Sequence, residues 1–204
     1  MFGLDAHEMR ILRNLRTPAR VQDFLETLRY SFDRGRDMLR SPRRILREGS
    51  AHCIEGALVA AAAFWVNGAR PLLLDLRSTS DDLDHVVAPF RAQGRWGAVS
   101  KTNHAVLRYR EPVYRTVREL AMSYFHEYFL DDGRKTMVDY SDPFDVGRRC
   151  GTAWLIASDD IWHVAEALDS SRHHPVHRGV LRMRRADPVE IAAGKLTVFR
   201  EPRK

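Results

Sequence analysis

Two cysteines, Cys53 and Cys150, are all that 204 residues contain. So sparse a supply excludes a disulfide framework, and a reducing cytoplasm is the expected compartment. No apolar stretch approaches the ~18 residues that a membrane span requires. The longest, Ala57 to Val66, fits a buried helix instead. Met1 to Glu8 lack a basic stretch leading into an apolar one, so no secretory signal is visible. Lysine is scarce: Lys101, Lys135, Lys195 and Lys204 are the only four, and arginine carries most of the formal charge of +6. The arginines are interleaved with acids along the chain, and no basic stripe carries aromatic residues. Nucleic acid is therefore not an expected partner. Phosphate-cradling glycine loops are also missing, since Gly147 and Gly151 flank an arginine pair without a strand–turn–helix context. No cofactor is called for.

What is present is a hydrophobic content of 44%, enough for a core. The pattern predicts one domain over 1–204, with a helical part at 1–48, a core at about 49–102 and a helical part at 112–204. Met9, Ile11, Leu12 and Leu15 mark a first amphipathic helix. Thr17-Pro18 and Ser41-Pro42 each read as an N-cap followed by proline at the first helical position, and Gly49 ends the second of these pieces. A fourth, alanine-rich helix opens at Cys53 and closes near Asn67-Gly68. Pro71 to Leu76, His85 to Phe90 and Trp96 to Ser100 read as strands, with a polar loop at Ser78 to Asp84. Pro112 is read as opening a helix to about Leu130, and Ser158-Asp159-Asp160 as capping another, with Ile161, Trp162, Ala165 and Leu168 turned inward. The fold class expected is α+β, with the cysteine-bearing helix packed on a small antiparallel sheet and further helices at either end.

The chemistry lies in Cys53 and His85. A thiol at a helix N-terminus sits in the positive end of the macrodipole, which favours thiolate. An imidazole beside it would hold the thiolate as an ion pair and later deliver a proton. The spacing of thirty-two residues requires helix and strand to pack together. The hairpin after His85 constrains the third member. A four-residue loop, Arg91 to Gly94, sets His85 opposite Ser100; a two-residue loop, Gln93-Gly94, sets it opposite Thr102. Either choice puts a hydroxyl beside the imidazole, whereas a three-residue loop with a bulge would bring Lys101 opposite, a poor orienter. The competing reading is a small buried thiol and an unrelated histidine.

The ordered pattern of Cys53 opening an alanine-rich helix, Gly68 at its end, the strand Pro71 to Asp75, His85 starting a strand, and Gly94-Arg95-Trp96 before the next resembles the transglutaminase-like superfamily of papain-like cysteine enzymes. Leu107 to Arg115 is similar to a segment of bacterial members to which no chemistry is assigned. The resemblance covers about Gly49 to Thr102 and implies Cys53 as nucleophile and His85 as general base and acid. It also implies an aspartate a few residues after Trp96, where this chain has Ser100. A serine can orient the imidazole but cannot stabilise its charge, and losing such a carboxylate can cost ~10⁴ in rate. Asp75 and Asp84 are alternative acids, although Asp84 precedes His85 and points to the other face of a regular strand.

The expected activity is acyl transfer or hydrolysis of an amide in a small molecule, peptide or protein. The alternative from another class is a catalytically inactive binding module on the same fold. The cluster His173-His174-Pro175-Val176-His177 is read as adventitious rather than as a metal site. Glu55 is read as a first-turn charge that favours the helix dipole. Arg115 and Arg118 share a helix face, read as solvated with Glu111 and Glu119 as partners.

Overall fold

A computed structural model describes residues 2–32, 38–177 and 182–200. The N-terminal third is helical, and its cap chemistry explains why. Helix α1 (Ala6–Asn14) starts with a capping box in which Asp5 and Glu8 satisfy each other's backbone N–H. Helix α2 (Pro18–Thr27) is capped by the Thr17 side chain. Helix α3 (Pro42–Glu48) is capped by Ser41 and ends at Gly49, whose φ of 70° suits a residue without a side chain. Two short strands, β1 (Arg29–Tyr30) and β2 (Ser50–Ala51), pair in parallel and bring the chain back to the start of α4 (Cys53–Val66).

Every residue of α4 from Glu55 to Phe64 is buried. A helix apolar on all sides needs cover on all sides, and α1, α2 and α3 pack on it while strand β4 (His85–Ala92) supports it from beneath. Side chains such as Leu58 and Val59 each contribute about 1.5–3 kcal/mol of burial. The alanines keep the packing close. At Gly56 a β-carbon would lie only 2.3 Å from the Lys101 β-carbon, so this position near Cys53 tolerates no side chain.

The main sheet is antiparallel throughout. It adds β3 (Leu72–Ser78), β5 (Arg95–Val99), β6 (Arg110–Tyr114), β7 (Met137–Ser141), β8 (Phe144–Asp145) and β9 (His173–Pro175) to β4. The order is β6-β5-β4-β3-β7-β9, and β8 shares the β7 side of β3. Pro143, between β7 and β8, has no N–H to continue the ladder. Both faces of the sheet are covered. Leu73, Val86, Ala88, Phe90 and Val99 face α4, whereas Leu74, Leu76, Val87 and Ala98 pack on α5 (Val117–Phe125). The class is α+β, with the cysteine-bearing helix on an antiparallel sheet.

The segment 112–204, read from sequence as helical, instead contributes strands as well as helices. Pro112 lies inside β6, an edge strand where a missing N–H costs no ladder bond. Helix α5 starts later, behind the Thr116 cap, and ends at Phe125. The rest of this segment holds α6 (Val146–Cys150), a 3₁₀ turn at Ala153–Leu155, α7 (Trp162–Asp169) and α8 (Pro188–Gly194). Ile161, not Asp160, occupies the α7 N-cap; Asp160 is drawn off to Arg44, and Trp162 turns outward. Cys53 and Cys150 are free thiols. Among the described residues no helix is long and apolar enough to cross a membrane.

Candidate active site

Cys53 is the first residue of α4, and the first N–H groups of that helix have no intrahelical acceptor. Its sulfur lies 3.8 Å from the Asp84 carbonyl oxygen, at the head of β4. Burial pushes the thiol up. Hydrogen bonds and charge from the His52 and His85 imidazoles outweigh it and hold the thiol at about 5. The sulfur therefore has two imidazole partners, one from the residue before it and one from the sheet.

His85 is buried, and its Nε2 lies 2.8 Å from Ser100 Oγ. The tautomer follows from the next bond. Ser100 Oγ donates its only proton to the Leu107 carbonyl at 2.6 Å, so it must accept from Nε2–H. That leaves Nδ1 unprotonated in the neutral ring and able to accept a proton.

Ser100 is itself held from both sides. Gln22 of α2 accepts from the Ser100 backbone N–H at 3.0 Å and donates to its carbonyl at 2.9 Å. Leu107 has a left-handed backbone with φ of 59°. Its N–H donates to Glu127, which also binds Arg110 at 2.6 Å.

The hairpin register explains how Ser100 comes to this position. Ala92 pairs with Arg95 around a two-residue turn in which Gln93 and Gly94 both have positive φ. Continued along the ladder, this register sets His85 opposite Thr102, but strand pairing stops at Ala88 and Val99. Ser100 lies diagonally from His85 on the same face and takes its ring nitrogen. Thr102 instead accepts from the His104 N–H at 3.1 Å and does not orient the ring.

Asp75, the other alternative, does not reach His85 either. It pairs across the sheet with Val86, so its side chain projects from the face opposite His85. There Oδ2 meets His173 Nε2 at 3.3 Å. Burial raises the Asp75 pKa ahead of the lowering effect of His173, and the Asp75 carboxylate raises that of His173. The Asp84 carboxylate accepts from Ser78 N–H and Oγ.

The histidine run on β9 splits: His173 goes to Asp75 and His174 to Asp142 at 2.7 Å. Among the described residues no three His, Cys, Asp or Glu are grouped to hold a metal. Arg118 donates to the Val176 carbonyl, while the Arg115 N–H donates to Glu119.

Glu55, read as a first-turn charge, does more. It is fully buried and accepts from Arg40 N, Nε and NH2 at 2.7–2.9 Å and from the His52 N–H at 3.1 Å. Arg40 also reaches Ser50 Oγ and Glu48. This cluster fixes the turn that delivers His52 and Cys53. Glu55 sits at the capping-box position, which is a legible signal. Arg40 and Gln22 carry no sequence signal, because their partners are fifteen and seventy-eight residues away.

Cys53, His52 and His85 open into a cavity of about 810 Å³, bordered also by Asp75, Asp84, Lys101, Tyr128 and Trp162. Lys101 Nζ donates to the Leu25 and Leu28 carbonyls at the end of α2 at 2.8 and 2.5 Å, and burial pulls it down to about 8. The Tyr128 hydroxyl donates to the Leu83 carbonyl and pins the loop that leads into His85.

No protein-family model matches the chain, and no curated protein matches it. Among solved structures it is similar to LapG of Legionella pneumophila at 12% identity. That match covers 73% of this chain and 82% of the other, with a TM-score of 0.43. The EGTA-treated form of that protein is similar at 13% identity, with the same coverage and a TM-score of 0.41. A likeness at this level concerns the coarse arrangement of elements and says nothing of activity.

Proposed function

We propose that this chain is a cysteine-dependent acyl-transfer or amide-cleaving enzyme of the transglutaminase-like type, with Cys53 as nucleophile, His85 as general base and acid, and Ser100 as the residue that orients His85. One observation carries the reading: the Ser100 hydroxyl is committed to the Leu107 carbonyl, which leaves His85 Nδ1 as the acceptor for the thiol proton.

In the proposed reaction the Cys53 thiolate attacks the carbonyl carbon of an amide or thioester. A C–S bond forms and the carbonyl π pair moves to oxygen, where N–H groups of the first turn of α4, which have no intrahelical acceptor, stabilise it. His85, carrying the thiol proton, gives it to the leaving nitrogen or sulfur as the bond to that atom breaks. Water or an amine then attacks the thioester and gives its proton to Nδ1, and Cys53 leaves as thiolate. His52 supplies a second imidazole at the sulfur, which supports a thiolate where the neutral Ser100 offers no charge to the imidazolium. The same neutrality of Ser100 motivates the second reading, a binding module without turnover.

An activated ester separates the two. The enzyme reading expects p-nitrophenyl acetate to release one equivalent of nitrophenolate in a burst near pH 6. It also expects an acetyl adduct mapped by mass spectrometry to Cys53 and absent in Cys53→Ala and His85→Ala. No adduct at Cys53, or one that persists in His85→Ala, contradicts it.

A further inference from the structure

Resting on that reading of Cys53, we propose that the site takes a peptide carrying a cationic side chain, a lysine ammonium or an arginine guanidinium, next to the carbonyl under attack. The chain as a whole is basic, with a formal charge of +6. The cavity is the reverse: seven carboxylates line it and, among the described residues, a single lysine and no arginine.

That lysine, Lys101, spends its ammonium on the carbonyls that end α2. Four of the wall carboxylates are matched by cations outside the cavity lining: Asp169 by Arg77, Glu127 by Arg110, Asp131 by Lys195 and Asp132 by Arg134 and Arg185. The two nearest His85 in sequence are held differently. Asp84 accepts from Ser78, and Asp82 accepts from Thr136 Oγ1 at 2.5 Å and from the Leu83 N–H at 2.8 Å. Hydroxyl and amide donors fix these carboxylates without cancelling their charge, and Tyr128 fixes the loop between them.

Two further features fit a cation. Asp75 also lines the cavity and is only 4% exposed, and its Oδ1 is buried with no hydrogen-bond partner. Trp162 lines the same cavity and is 37% exposed, an indole face open to an ammonium or guanidinium. A low-dielectric cleft of one sign focuses its field and raises the local concentration and on-rate of the opposite charge.

The test uses the whole chain and three methanethiosulfonates: trimethylammonium-ethyl and sulfonatoethyl, which match in reach and differ in charge, and the smaller neutral methyl reagent as a control for access. Each forms a disulfide with the Cys53 thiolate and releases methanesulfinate, and each rate is divided by that for free cysteine. The expected result is a corrected cation-to-anion ratio of at least ~10. It should shrink on raising salt from 0.02 to 0.5 M, as screening shortens the field, and in Asp82→Asn/Asp84→Asn. The salt series on the unchanged protein decides the matter if that variant misfolds. A ratio near one, or one favouring the anion, with rapid methyl labelling of Cys53, overturns the inference and leaves the nucleophile standing. No labelling by any of the three reagents removes both.

Quenched peptides with lysine before or after the scissile amide, against alanine and glutamate controls, then tell which side carries the cation. Faster turnover with lysine on one side is expected. Equal turnover of lysine and glutamate peptides overturns the proposal.

Discussion

Two histidines on opposite faces of one sheet make an instructive pair. His173 has a carboxylate partner, Asp75, whereas His85 has only the hydroxyl of Ser100. By partner chemistry alone, His173 is the better-supported base. Yet His85 is the one at the sulfur of Cys53. Strand parity separates the two pairs but does not choose between them; His85 meets the sulfur because it opens β4, next to the Asp84 carbonyl that Cys53 touches. Asp75 and His85 are offset by one position across β3 and β4, so their side chains leave on different faces. The reactive imidazole is chosen by the residue that reaches the helix N-terminus, and its orientation is then secured by neutral bonds from Ser100, Leu107 and Gln22.

The comparison can be broken first at its support. Glu55→Ala leaves Arg40 buried without its main counter-charge, a loss expected to cost about 3–5 kcal/mol in a denaturant titration. It should also loosen the turn that carries His52 and Cys53. A loss under 1 kcal/mol would mean that the cluster does not hold the site together.

A second test exchanges the partners. Because Ser100 Oγ donates to the Leu107 carbonyl, Ser100→Asp puts an acceptor against an acceptor and does not simply restore a triad. It is expected to destabilise the chain by about 1–3 kcal/mol, more than Ser100→Ala does. Equal stability with faster Cys53 alkylation would contradict the assigned direction of that bond.

The smallest effects belong to the other histidine. The raised pKa of His173 means that its pairing stabilises the fold fully below the unfolded value of ~6.5 and is lost as pH rises through the folded value. Asp75→Asn should flatten that decline by less than ~1 kcal/mol in melts taken from pH 6 to 9. The rate of Cys53 alkylation in His173→Ala should stay within about twofold of wild type, since His173 does not touch the sulfur. A tenfold loss would bring His173 into the site.

The parts legible in sequence are those set by local chemistry. Thr17-Pro18, Ser41-Pro42 and Gly49 marked helix ends because caps act within one turn. Gln93-Gly94 marked the hairpin, and side-chain parity put a hydroxyl on the face of His85. The two-residue loop alone points to Thr102; Ser100 takes the ring instead because β5 leaves β4 after Ala88 and Val99, which the backbone pattern does not encode. Strands β6, β8 and β9 were hidden for a related reason. Each is short, and β6 and β9 are edges whose pairing depends on distant partners. Pro112 imitated a helix start. The Arg40–Glu55 cluster, the Gln22 clamp and the Asp75–His173 pair are contacts between distant segments, so no window of sequence displays them together.

The most direct measurement is the pH dependence of iodoacetamide alkylation at Cys53, resolved by mass spectrometry in wild type and His85→Ala, with Cys150 as the internal control. The account predicts half-maximal reactivity of Cys53 near pH 5, against a free-thiol value of ~8.5. It also predicts a shift upward by at least one unit when His85 is removed. A Cys53 that titrates like Cys150, or that keeps its low midpoint without His85, would contradict it.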